Sequence, residues 1–119
     1  MPFTQYSIIF VSIAIPLSLV YLKVNLNVVK VGQSVTFECS AYSRPRANIT
    51  WFKDGKLINP SVNMTNSTNS NDILAKSMFT IKYMEPSYQS VYTCRANNMI
   101  NSQPVTSNPQ TISKYKIAS

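Results

Sequence analysis

No histidine occurs among the 119 residues, and the chain holds only four acids, two glycines and two cysteines. Without histidine, proton transfer near neutral pH would fall to carboxylates or phenols. The acids are Glu38, Asp54, Asp72 and Glu85, and they read as an outer strand face, a turn, a polar loop and a corner. None is placed to pair across a pocket. Two thiols without an imidazole cannot assemble a Cys/His metal set. Gly32 and Gly55 stand too far apart to cradle a phosphate. These absences point away from an enzyme and from any cofactor. The net charge of +7 is scattered, with no basic run and no basic helix interleaved with aromatics. That excludes the usual nucleic-acid modules. A looser attraction to anionic glycans or cell surfaces stays open.

What is present is organised around Cys39 and Cys94. Trp51, the only tryptophan, follows the first cysteine, and Tyr92 stands two residues before the second. An antiparallel β-sandwich pinned by one inter-sheet disulfide needs these parts in this order: a thiol on a strand of each sheet, a large apolar side chain against the bridge, and a tyrosine at the last corner. Two cysteines permit one intramolecular bridge. The alternative is a pair of buried free thiols in a cytosolic protein. Asn48, Asn63 and Asn66 each begin an Asn-x-Ser/Thr glycosylation site, which favours the secretory route.

Residues 6–22, YSIIFVSIAIPLSLVYL, run without a charge up to Lys23. The stretch is long for a signal-peptide core and short for a membrane span. A small-x-small pattern, Ser12-Ile13-Ala14, lies inside it rather than after it. No Lys or Arg precedes the run, while Lys23 and Lys30 follow, a bias that by itself favours a cytoplasmic C-terminal side. The bridge and glycosylation sites argue the other way and rest on more residues. Residues 1–22 are therefore read as a signal peptide or an uncleaved signal anchor, the only route to a membrane, and residues 24–117 as the domain. The expected location is extracellular, secreted or at the cell surface.

Period-two alternation dominates that domain. An opening edge strand is expected over 24–31. Residues 34–41 place Val35, Phe37, Cys39 and Ala41 inward, and 48–53 place Ile49 and Trp51 inward before the Asp54-Gly55 turn. Residues 59–72 are nearly all polar and read as a loose edge or loop. Order returns over 76–84 with Phe79, Ile81 and Met84 in the core, and over 90–97 with Tyr92, Cys94 and Ala96 inward. Pro104 and Pro109 interrupt the closing strand, which is expected within 110–117. No helix is expected in the domain.

Three stretches carry a family resemblance: GQSVTFEC ending at Cys39, ITWFKDGK around Trp51, and YTCRANN around Cys94. Together they resemble immunoglobulin-superfamily domains of the intermediate, I-type set found in adhesion and receptor ectodomains. Tyr88, Ser90 and Asn101 depart from that family's usual Asp, Gly and Gly. The resemblance implies recognition of another protein ectodomain, or of a second copy of the chain, without a metal or cofactor. Thr50 and Phe52, with Thr93 and Arg95 on the neighbouring strand, should face outward and form the contact surface, since aromatics and arginine are enriched in interfaces. A second candidate is the loop Arg44-Pro45-Arg46, able to grip an anionic glycan. Alternative roles are a secreted decoy that sequesters a ligand and a glycan-binding surface protein.

Overall fold

Alternating side chains give each half of the chain an inward row, and two such rows must bury against each other. The computed structural model describes residues 14–58, 64–66, 73–99 and 103–114. Those residues form β1 (Val20–Val24), β2 (Val28–Val29), β3 (Val35–Tyr42), β4 (Asn48–Lys53) and β5 (Lys56–Leu57). They continue with β6 (Met64–Asn66), β7 (Leu74–Ile81), β8 (Ser90–Asn97), β9 (Val105–Thr106) and β10 (Gln110–Lys114). One sheet runs β1-β3-β7-β6 and the other β2-β10-β8-β4-β5, with β9 also on β8. The chain is an all-β sandwich. A 3-10 turn, Pro86–Tyr88, leads into β8.

Cys39 on β3 and Cys94 on β8 join the two sheets through a disulfide of 2.05 Å. Trp51 lies directly across from Cys94 in the β4–β8 register and is buried. Its indole N–H donates to Ser77 Oγ at 2.9 Å, on β7 of the facing sheet. A buried donor is thereby satisfied across the layers, which avoids a substantial desolvation penalty. Phe37 sits at the centre of the aromatic core, 4.7 Å from Tyr92, 5.9 Å from Phe79 and edge-on to Trp51 at 6.3 Å. Such pairs add about 0.5–1.5 kcal/mol each beyond area burial. Met84 belongs to the same core cluster and is fully buried.

The Tyr92 hydroxyl donates to the Tyr88 carbonyl at 2.8 Å and ties the turn to β8. Burial, followed by the nearby Asp54 and Tyr88, pushes this phenol well above its ordinary value. At position 88 the family's usual acid is absent, and the tyrosine ring instead lies 5.7 Å from the Lys53 ammonium. Lys53 also donates to the Ser87 carbonyl at 2.7 Å. A cation over a ring holds this corner.

The opening strand differs from the expected 24–31 span. Two short strands replace it, β1 pairing with β3 and β2 running parallel to β10. Between them Asn25 accepts the Thr36 N–H and turns the chain from one sheet toward the other. β1 and the residues just before it draw on the apolar run: Leu17, Val20 and Leu22 are buried, while Leu19 and Tyr21 are exposed. Because the outward residues are apolar too, alternation was invisible there. At the other end, Pro104 and Pro109 flank β9 and β10 rather than break them. Within the polar stretch 59–72, only Met64–Asn66 is described, as an edge strand on β7. Asn63 and Asn101 lie outside the described residues.

Ser77→Ala leaves the indole donor of Trp51 without its partner and should cost about 1–3 kcal/mol in denaturant unfolding. A loss indistinguishable from zero would mean that this bond carries no stability. For Cys39→Ser, opening a loop with a sequence separation of 55 should cost about 4 kcal/mol in the chain-entropy model. The expected outcome is retention of the chain inside the secreting cell.

Candidate recognition face

Whichever residues of β4 and β8 point inward at the joint, their neighbours must point out, because side chains alternate. With Trp51 and Cys94 inward, the outer row of β4 is Asn48, Thr50 and Phe52, and that of β8 is Val91, Thr93, Arg95 and Asn97. Thr50 pairs with Arg95 and Phe52 with Thr93 across the strands. The Arg95 guanidinium lies 4.3 Å above the Phe52 ring centroid, a diagonal cation–π contact. Thr50 Oγ1 donates weakly to the Arg95 carbonyl at 3.4 Å. All four expected face residues are thus brought together on one surface. Phe52 and Arg95 are half-buried.

Two further residues join them. Leu57 stands directly opposite Phe52 on β5 and is 57% exposed, and Val91 is exposed on β8. Leu57 was legible in principle. A two-residue turn at Asp54-Gly55 pairs Lys53 with Lys56, so the next outward pair must be Phe52 with Leu57. That turn has positive φ at both positions, 51° at Asp54 and 80° at Gly55, the geometry that suits the twist of a two-residue hairpin.

Asp54 is held by more than its turn. Its carboxylate accepts the Val91 N–H at 3.0 Å and the Ser90 hydroxyl at 2.9 Å, which draws its pKa below the usual carboxylate value. The backbone bond to Val91 is the larger cause. The face is therefore framed by rigid hairpin geometry at the Phe52 end. At the other end stand Asn48 and Asn97, paired and exposed.

The loop Arg44-Pro45-Arg46 lies beyond that far end. The Ser43 hydroxyl and the Asn98 amide both donate to the Pro45 carbonyl, at 2.8 and 3.3 Å. Arg44 pairs through its backbone with Ile15. Arg46 is exposed and Arg44 half-buried. The loop is a tethered corner and stands apart from the Phe52–Arg95 surface.

On the opposite sheet, Glu38 accepts from Lys23 at 3.0 Å and Lys76 at 3.1 Å. Its pKa is lowered chiefly by the Lys23 hydrogen bond. With two lysines holding it ionised, Glu38 is unsuited to proton transfer. Among the described residues no group of His, Cys, Asp and Glu could hold a metal ion, and both thiols are bonded to each other.

A family model described as Immunoglobulin domain matches residues 20–98. The chain belongs to the immunoglobulin superfamily. Among curated immunoglobulin-superfamily relatives, neural cell adhesion molecule 1 of Homo sapiens is 33% identical over 86 residues, covering 72% of this chain and 10% of that protein. Contactin of Drosophila melanogaster is 32% identical over 70 residues, 58% of this chain and 5% of that one. The chain thus spans a tenth or less of the length of these relatives. Among solved structures, chimeric titin Z1Z2 superposes with a TM-score of 0.62 at 18% identity, covering 85% of this chain and 98% of that one. A chain of the complex of Dpr2 Ig1–Ig2 with DIP-Theta Ig1–Ig3 gives 0.58 at 19% identity, covering 82% of this chain and 32% of that one. At such identities the structural likeness shows the fold alone.

The two lowered carboxylates set the acid response. Their pKa values are lower folded than unfolded, so the unfolded chain binds protons first as acid is added. The stability they contribute is complete above about pH 5 and is lost as the pH falls through the lowered values. The melting temperature should therefore drop between about pH 5 and pH 3, and Glu38→Gln should flatten that drop. Parallel pH profiles for the two proteins would show that Glu38 plays no part.

Proposed function

We propose that this chain is an exported recognition module that binds a protein ectodomain, or a second copy of itself, through the outer surface of β4, β5 and β8. The observation that carries the reading is the Arg95 guanidinium stacked on Phe52 beside exposed Leu57. Arginine and aromatics dominate the energetics of interfaces. A guanidinium already ordered over a ring loses less side-chain entropy when a partner covers it. Support of a different kind comes from the relatives, one of which is named as a cell adhesion molecule, and from the Dpr2–DIP-Theta complex of two immunoglobulin-type chains.

In this reading Asn48, Asn63 and Asn66 carry glycans. Asn66 falls on β6, the edge of the other sheet, where a glycan would block pairing with a further strand. Asn48 points from the recognition face itself, in the same outward row as Thr50 and Phe52. A glycan there confines the partner to the end of the face bearing Phe52, Leu57 and Val91. The module needs no cofactor and performs no catalysis.

The test presents the secreted chain as a multimer to immobilised copies of itself and to a panel of purified ectodomains. Phe52→Ala with Arg95→Ala should weaken the binding that is found by roughly tenfold or more. The melting temperature should fall by only a few degrees, because the lost contact is worth about 0.5–1 kcal/mol. Tyr21→Ala with Met78→Ala, on the opposite sheet, should leave binding intact. The reverse pattern would move the recognition surface to the other side of the sandwich.

A further inference from the structure

The apolar run of residues 6–22 serves two masters, and the structure divides it. From Leu17 onward it belongs to the folded domain: Leu17, Val20 and Leu22 are 3%, 5% and 0% exposed. Leu22 is also clamped through its backbone. Its N–H donates to Asn108 Oδ1 at 2.9 Å, and its carbonyl accepts from Asn108 Nδ2 at 2.9 Å and Gln110 Nε2 at 3.1 Å. Removing the chain through residue 22 would delete most of β1 and strand both amides. Ile15 is held as well, by a reciprocal pair with Arg44: Ile15 N–H to Arg44 carbonyl at 3.1 Å, and Arg44 N–H to Ile15 carbonyl at 3.0 Å.

What remains of the run is residues 6–14. At about 1.5 Å per residue a helix of that length reaches less than half of the roughly 30 Å hydrocarbon core. Once the domain has folded, these residues are too few for an anchor. They read as a short apolar stretch, residues 6–11, followed by a small-x-small end, the order of parts in a signal peptide. That end is Ser12-Ile13-Ala14, with small residues at the third and first positions before the Ala14–Ile15 bond. Pro16 disfavours the helical conformation at Ile15, and Ile15 pairs with Arg44 in an isolated bridge instead.

We infer that the Ala14–Ile15 peptide bond is the processing site, cut by a membrane-bound endopeptidase of the signal-peptidase type, and that Ile15 begins the mature chain. Water supplies the balance: its oxygen joins the Ala14 carbonyl carbon to give a carboxylate, and Ile15 nitrogen leaves as an amine that protonates. Both atoms of Ile15 that bond Arg44, its nitrogen and its carbonyl oxygen, lie on the retained side. The new ammonium still donates to the Arg44 carbonyl, now as a charge-assisted bond. Ala14 is exposed, so the bond lies at the surface of the domain rather than in it. The cut leaves every strand complete.

This inference rests on the export reading, and one experiment separates the two. The full chain is expressed in a secreting animal cell line, and medium, membranes and cytosol are examined by intact mass and N-terminal sequencing. The expected result is a chain in the medium that begins at Ile15. Chain in the medium with any other first residue overturns the site and leaves export standing. Full-length chain in the membrane fraction with its domain accessible from outside overturns the site and leaves export standing, and full-length chain in the cytosol overturns both. As a second arm, Ala14→Arg, which touches nothing in the core, should abolish the Ile15 terminus. Persistence of that terminus in the variant would refute the assignment.

Discussion

Two β-layers of modest size are joined covalently at one place, and the rest of the molecule takes its directions from that joint. A disulfide links β3 to β8 while the Trp51 indole crosses to Ser77 on the facing sheet. Covalent and polar ties are therefore laid side by side through the aromatic core around Phe37. A domain of this length buries a smaller share of its surface than a large one does, so a fixed point of this kind matters more. Fixing Cys94 and Trp51 inward also fixes Thr93, Arg95, Thr50 and Phe52 outward. The proposed recognition face is in that sense the reverse side of the joint.

Residues near this joint were readable from the chain because each strand alternates sharply in polarity. Val35, Phe37, Cys39 and Ala41 on β3, and Tyr92, Cys94 and Ala96 on β8, all lie buried. The hairpin at Asp54-Gly55 was readable for a different reason, since few dipeptides accept positive φ twice. Hidden from such reading was the start of β1, because the exposed Leu19 just before it and Tyr21 within it are as apolar as the buried Val20 and Leu22. Alternation cannot signal a strand when both of its faces are hydrophobic. The Arg95–Phe52 stack was half legible: the parity of each residue could be derived, but the diagonal reach of the guanidinium depends on sheet twist. Tyr88 illustrates another limit. Its departure from the family pattern was visible, yet its pairing with Lys53 is a matter of three-dimensional proximity.

Charge is distributed to match this division of labour. Glu38 is held between Lys23 and Lys76 on the β1-β3-β7 surface, and Asp54 is absorbed by the start of β8. Glu85 is the remaining acid among the described residues, so the strongly positive balance of the chain is left largely to the solvent-facing side chains. Ion pairs at such a surface add little to stability and are screened by salt.

Ile15 adjoins Arg44, near the Asn48–Asn97 end of the sheets, whereas β10 runs toward Lys114 past Ser90 and Val29, at the opposite end. The polypeptide thus enters at one pole of the sandwich and leaves at the other. A neighbour or support attached after β10 would hold the module upright, its arginine corner outermost and its Phe52 flank facing sideways, open to a partner approaching in parallel.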